Sequence, residues 1–260
     1  MPINDRILKY LDLLLEPGAI RALATWPKFS ITSFKMISAL ARQGILPRTV
    51  IDVGANVGQF AIASAMIFPN VEVHSFEPVS EIASALKKNV RTIPNVKVYP
   101  LALGERQGHC TFHVNSHSPS SSILALAKSH LVAFPDERET RTIDVELTTL
   151  DAVFDKVDLK TPILLKLDVQ GYEAQTLAGG PQTLKRCDYV VLEASFKPMY
   201  QGEIPFTEIL AMMDRRNFEF QRPVGWLTEP RTGEVLQLDA LFQRVAIASE
   251  SRAALSGSVG

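Results

Sequence analysis

The chain has 260 residues, 46% of them hydrophobic, enough to bury a sizeable core as one large domain or a domain with an appendage. Its 27 basic and 28 acidic residues leave a net charge of −1, so no overall field draws it to nucleic acid or to an anionic membrane. No stretch approaches the roughly 20 apolar residues that cross a bilayer, and Asp5, Arg6, Asp12 and Glu16 interrupt the N-terminal apolar run that a signal peptide would need.

Residues 3 to 46 carry helical spacing, with Ile7, Leu8, Leu11, Leu14 and Leu15 on one stripe and Phe34, Ile37, Leu40 and Ala41 on another. Pro17-Gly18 and Trp26-Pro27 break the pattern, which predicts an N-terminal helical cap over residues 1–47. From Arg48 strands and helices alternate: "TVIDVG", "NVGQFAIASAMIF", "VEVHSF", "SEIASALKKNV" and "VKVYPLAL" read as βαβαβ. Such a run predicts a mostly parallel, doubly wound α/β sheet with right-handed crossovers, over residues 48–248.

Residues 107–147 break the rhythm. "GHCTFHV" and "RTIDVEL" alternate with a period of two and flank a serine-rich segment and a short helical one, predicting a hairpin-like insertion over the ligand edge of the sheet. The βα units then resume with "PILLKLDV" and "DYVVLEASF". "FEFQR" and "LDALFQRV" form a closing antiparallel pair, and residues 249–260 read as a flexible tail. Cys110 and Cys187, without metal-ligand spacing, read as reduced thiols of a cytoplasmic protein.

The turn after the first strand, Asp52 to Gly58, is Asp-Val-Gly-Ala-Asn-Val-Gly. A dinucleotide turn is G-x-G-x-x-G, and its second glycine lets a pyrophosphate approach the helix N-terminus. Asn56 stands at that second position. Its side chain obstructs a pyrophosphate but can cap the helix or touch a ligand without phosphates, which disfavours a NAD-dependent oxidoreductase and points to S-adenosylmethionine. An acid at the end of the second strand would hold the ribose diol, and Glu77 stands there; its alternative is to cap the helix that follows.

In these motifs, together with "FEP", "LALGERQG", "SSS" before an apolar residue, "TLD", "LLKLDVQGYE", "LAGG" and "VVLEASF", the sequence resembles the FkbM family of S-adenosylmethionine-dependent methyltransferases. The likeness runs in order from about Val50 to Arg244. It implies a Rossmann-like class I methyltransferase fold and methyl transfer to a hydroxyl of a small molecule, a sugar or secondary metabolite; a macromolecular acceptor, RNA or protein, is the alternative, with the balanced charge weighing against nucleic acid. It also implies cofactor contacts from Asp52, Gly54, Ala55, Asn56, Gly58, Phe60, Glu77, Pro78, Ser121 and Ser122. The helices before Arg48 lie outside the shared pattern and are candidates for specificity or for self-association.

Ligands in open α/β sheets lie at the carboxyl ends of the strands. Asp168 and Glu193 occupy two such ends, so both are candidate catalytic groups, and Asp168 is also a candidate cofactor contact. Each could instead cap the following helix, and the pair could form an oxygen-ligand metal site, although no metal is expected. Lys166 shares a strand face with Asp168, and a salt bridge between them would keep Asp168 ionised. Ala102 and Leu103 are expected to wall the adenine, with Gly104 permitting close approach, and Gln170 is expected near the rim. Among the histidines, His117 in the serine-rich loop is the candidate base, His74 reads as packed, and His109 and His113 as one exposed strand face. Trp26 and Trp226 could stack on an acceptor, though packing is the plainer reading for either.

Overall fold

The computed structural model describes residues 16–115 and 118–245. In chain order, α1 (Ala19–Thr25) and α2 (Ile31–Arg42) precede the predicted βαβαβ run of β1 (Thr49–Val53), α3 (Gln59–Ile67), β2 (Glu72–Phe76), α4 (Ser80–Asn89) and β3 (Val96–Tyr99). The insertion comprises β4 (Ala102–Leu103), β5 (Gly108–Asn115), a 3-10 turn (Ser118–Ser120), α5 (Lys128–Ala133) and β6 (Glu139–Thr148). Then come α6 (Leu150–Phe154), β7 (Ile163–Leu167), α7 (Glu173–Ala178), α8 (Pro181–Arg186), β8 (Tyr189–Ser195), α9 (Phe206–Asp214), β9 (Phe218–Thr228) and β10 (Val235–Arg244).

The described residues form a seven-stranded sheet in the order β3-β2-β1-β7-β8-β10-β9. The first five strands are mutually parallel, and β10 enters antiparallel to both β8 and β9. Helices cover both faces of a parallel sheet, so its central strands bury every residue. β1 (TVIDV) and β7 (ILLKL) do so, which makes Asp52 and Lys166 costly exceptions that need a partner.

Successive strand residues point to opposite faces, and the core divides accordingly. Ile51, Leu165 and Leu192 pack with Leu150, Phe154 and Leu184 on one side. Val50, Leu164, Val191 and Leu241 pack on the other with α3 and with Met36, Ile37 and Leu40 of α2. The segment predicted as a cap is thus, in α2, a layer of the main core, and truncating fully buried Leu40 to alanine would cost roughly 2–5 kcal/mol. Ser30 starts α2 by accepting a hydrogen bond from the Ser33 N–H at 3.3 Å. The predicted stripe from Ile7 to Leu15 and the predicted tail lie outside the described residues.

The predicted single strand "VKVYPLAL" is two. Pro100 has no N–H to continue the ladder, and the chain leaves the main sheet there. β4 then pairs parallel with β6, which pairs antiparallel with β5 in a second, three-stranded sheet. β9 is longer than "FEFQR" because Pro223 is tolerated on an edge strand, at a slip in register against β10. Among the described residues, no helix is long and apolar enough to cross a membrane.

Candidate active site

The turn after β1 is fixed from below. Gly54 and Ala55 donate to the Phe76 carbonyl at 3.1 and 2.9 Å. Gly54 has φ of +77°, and a Cβ there would lie 1.8 Å from the backbone oxygen of Asp168, so the crossing of two strand ends requires glycine. Asn56 takes a left-handed conformation with φ of 48° and turns its Oδ1 to the Val57 N–H at 2.7 Å. It stiffens the turn and does not cap α3, whose N-cap is Gly58.

The Asn56 N–H donates to Glu77 Oε2 at 3.0 Å, and the Val79 N–H donates to Oε1 at 3.0 Å. Glu77 therefore does bond the start of α4, yet each of its oxygens keeps a lone pair for a ligand hydroxyl. Burial pushes its carboxyl up to about 7, against the pull of the two N–H donors. Glu77 opens into a first cleft, about 650 Å3 with its open mouth, whose apolar walls include Ile82, Ala102, Leu103, Phe112 and Ile123. A flat base between such walls and a diol on an acidic group fit this cleft, so the residues suit an adenosine.

Two more clefts adjoin it. The second runs between the start of α2 (Ser30, Thr32, Ser33) and the turn, bounded by Phe60, Lys166 and Asp239. The third, about 1100 Å3 with its open mouth, lies among His130, Phe134, Glu193, Trp226, Gln237 and Asp239. Asp168 and Pro119 line all three.

Lys166 explains how Asp52 is tolerated. Its Nζ lies 3.4 Å from Asp52 and 3.2 Å from Asp168, donates to the Gly54 carbonyl at 3.3 Å, and sits 5.5 Å from the Phe60 ring centroid. Burial alone would lower its pKa, but the Asp168 and Asp52 carboxylates outweigh that and raise it. The expected Lys166–Asp168 salt bridge is present. Asp52 is wholly buried, with its pKa raised by burial, and lines none of the three clefts. It lies beneath the turn as a counter-ion to Lys166.

Gln170, expected near the rim, is at the centre. It adopts φ of 59°, and its Nε2 donates to Asp168 at 2.6 Å and to Glu193 at 2.9 Å. Its Oε1 accepts from the Tyr200 hydroxyl at 2.5 Å. Gln237 adds a bond to Glu193 at 3.0 Å. Burial, reinforced by Asp168 and Asp239, holds the Glu193 carboxyl well above the usual carboxylate range.

Of the other expected residues, Pro78 and Ser121 line the first cleft, and Ala55 and Phe60 the second. Gly58 lines none of the three, and added bulk there would press on Leu86 at 3.2 Å. Ser122 is fully buried; its hydroxyl donates to the Gln170 carbonyl at 2.7 Å and accepts from the Leu124 N–H, tying the insertion to the loop after β7. Gly104 admits the Tyr172 ring, 2.8 Å from where its Cβ would be. His117 lies outside the described residues. His109 pairs with Asp144 and His113 with Glu139, while His74 packs on Tyr99. Trp26 packs with Phe29 and Phe34, but Trp226 is 68% exposed at the mouth of the third cleft. Gln170 stands within the "LLKLDVQGYE" motif but its central place does not follow from it, and no local motif marks Tyr200, Gln237 or Asp239; only their meeting across strands does. Among the described residues, no group of three His, Cys, Asp or Glu is placed to hold a metal ion.

A mostly parallel sheet of this order, with an antiparallel strand inserted near one edge and a cleft at the ends of β1 and β2, is the fold of class I methyltransferases. The methyltransferase FkbM domain matches residues 52–220, and the chain belongs to that family of S-adenosylmethionine-dependent methyltransferases. It is 26% identical over 182 residues to 2-O-methyltransferase NoeI of Sinorhizobium fredii (strain NBRC 101917 / NGR234), covering 68% of this chain and 75% of that protein. It is 25% identical over 142 residues to Methyltransferase 1 of Beauveria bassiana (strain ARSEF 2860), covering 50% and 57%. Among solved structures it is similar to magnesium protoporphyrin IX methyltransferase (ChlM) from Synechocystis PCC 6803 with bound SAM, with 12% identity, a TM-score of 0.48, and 82% and 78% of the two chains covered.

Proposed function

We propose that this methyltransferase acts on a hydroxyl of a small molecule, a sugar or secondary metabolite, in the cytoplasm. S-adenosylmethionine supplies an electrophilic methyl group on a cationic sulfur. In this reading Glu77 holds the ribose diol, Ala102 and Leu103 face the base, and the carbonyl-rich turn and the start of α2 surround the amino acid tail. The acceptor enters the third cleft, past Trp226, to reach Asp168.

The observation that carries this reading is the meeting of three clefts at one carboxylate, Asp168. An in-line displacement draws most of its rate from holding the hydroxyl behind the methyl group, and a junction of two ligand clefts does that. The third cleft combines an exposed indole with carboxyl and amide groups, a suitable lining for a polyhydroxylated ring. NoeI, by its name a 2-O-methyltransferase, supports oxygen as the acceptor atom. A net charge of −1 weighs against an RNA acceptor.

The test is a panel of methyl glycosides and polyketide alcohols incubated with S-adenosylmethionine carrying a labelled methyl group, with products mapped by mass spectrometry. The label is expected on an ether oxygen. Label found only on nitrogen, carbon or a macromolecule would overturn the reading.

A further inference from the structure

Three carboxyl groups, those of Asp168, Glu193 and Asp239, face the junction of the donor and acceptor clefts, and two of them are committed. Asp168 is held by Lys166 at 3.2 Å and by Gln170 at 2.6 Å, and Glu193 receives the amides of Gln170 and Gln237. Asp239 differs. Among the described residues, no hydrogen bond or ion pair reaches its carboxylate, which borders the second and third clefts together.

The backbone is arranged to keep that carboxylate where it is. Asp239 lies on β10 directly opposite Glu193 of β8 and Gly225 of β9. A Cβ on Gly225 would stand 2.2 Å from Asp239 Oδ2, so the absence of a side chain at 225 makes the space the carboxylate occupies. The β9–β10 ladder slips by one residue between Asp239 and Ala240, a bulge of the kind that re-aims a side chain next to an active site.

We propose that Asp239 is the general base of the reaction, the group that receives the proton of the acceptor hydroxyl. This rests on the reading of the chain as an O-methyltransferase. As the bond between the acceptor oxygen and the methyl carbon forms, the bond from that carbon to sulfur breaks and its electron pair stays on the sulfur. The hydroxyl proton passes to the Asp239 carboxylate and from there through the open third cleft to water. Lys166 and Asp168 face Asp239 from β7 and its extension, and Glu193 faces it from β8; Gly225 and the nearby Thr32 and Met36 of α2 bring no charge. Burial, with Asp168 adding and Lys166 opposing, places the Asp239 carboxyl at about 6, near the value a base working at neutral pH needs.

Calorimetry tests this without an acceptor. S-adenosylmethionine and S-adenosylhomocysteine are titrated into the protein near pH 6 in two buffers of different ionisation enthalpy, which yields the protons released on binding. Both ligands carry the ribose diol, so any contribution of Glu77 cancels in the difference, and the extra positive charge of the sulfonium acts on Asp239. The wild type is expected to release more protons with the sulfonium ligand, up to about half a proton per site. Asp239→Asn should abolish that difference with its circular dichroism unchanged, and Gly225→Ala, which displaces the carboxylate, should diminish it. An unchanged difference in Asp239→Asn would overturn the proposal.

With a methyl glycoside that accepts the label, Asp239→Asn should lower kcat on the order of 10²–10⁴-fold and lose the acid limb of its pH profile, and Asp239→Glu should recover part of both. Full turnover in Asp239→Asn would overturn the assignment while leaving O-methylation standing. Label found on nitrogen or carbon would instead overturn the O-methyltransferase reading, and the proton difference would still report on Asp239.

Discussion

The Glu77 carboxylate accepts the backbone N–H of Asn56 at 3.0 Å, so the acid at the end of β2 and the turn after β1 form one unit. Whatever binds Glu77 is therefore registered against the turn. Glu77→Ala should weaken S-adenosylhomocysteine binding by about 1.5–3 kcal/mol, the range for a hydrogen bond to a charged group. Because burial holds the carboxyl at about 7, wild-type affinity should rise from pH 6 to pH 8 as the acceptor form fills. Calorimetry at the two pH values checks both; equal affinity in Glu77→Ala would remove the diol contact.

Gly54 and Asp168 touch through backbone, and this makes the turn intolerant. Gly54→Ala would drive a methyl group to 1.8 Å from the Asp168 carbonyl oxygen at a residue already at positive φ. A loss of about 2–4 kcal/mol is expected, read as a lower midpoint in urea with an unchanged slope. A variant as stable as the wild type would contradict the packing of these two strand ends.

Asp168→Asn keeps a hydrogen-bonding group for Gln170 and leaves Lys166 its partner Asp52. The fold should survive, with circular dichroism unchanged, while turnover falls at least tenfold because the sulfonium side of the junction loses a negative charge. Wild-type turnover in this variant would remove Asp168 from the reaction. Excess chelator should leave wild-type activity intact if carboxylates alone serve the acceptor, and its loss would reinstate the oxygen-ligand metal site.

Burial raises the Glu173 carboxyl from 4.5 to about 8, although its Oε1 accepts the Val169 N–H at 2.9 Å. A carboxyl raised in the folded state gives its full stabilisation below the unfolded pKa and loses it as pH climbs through the folded one. Stability should accordingly fall between pH 6 and pH 9, by about 1–3 kcal/mol from this residue. Thermal melts across that range should slope downward in the wild type and more gently in Glu173→Gln. Parallel slopes would show that Glu173 ionises normally in the folded chain.

Much of the scaffold could be read from the chain because its signals are local. The buried run before Gly54, the turn with Asn56 in place of a glycine, and Glu77 at the next strand end are each decided within a few residues. Pro100 is a local signal too: it ends the strand that the pattern "VKVYPLAL" would continue. The junction of the three clefts is different in kind. Gln170 bridges Asp168 to Glu193, which lies 23 positions beyond Gln170 in the chain, and Asp239 reaches the same point only because β10 inserts antiparallel beside β8. Ser122 shows the converse. A serine in a serine-rich loop suggests ligand contact from the sequence, and only the fold reveals that its hydroxyl donates to the Gln170 carbonyl.

A crystal structure with S-adenosylhomocysteine bound tests the site most directly. The account predicts the nucleoside between Glu77 and the Ala102–Leu103 wall, its diol on the Glu77 carboxylate, and the sulfur turned toward Asp168 at the mouth of the third cleft. Density for the nucleoside elsewhere, or a sulfur facing away from Asp168 and Asp239, would contradict it.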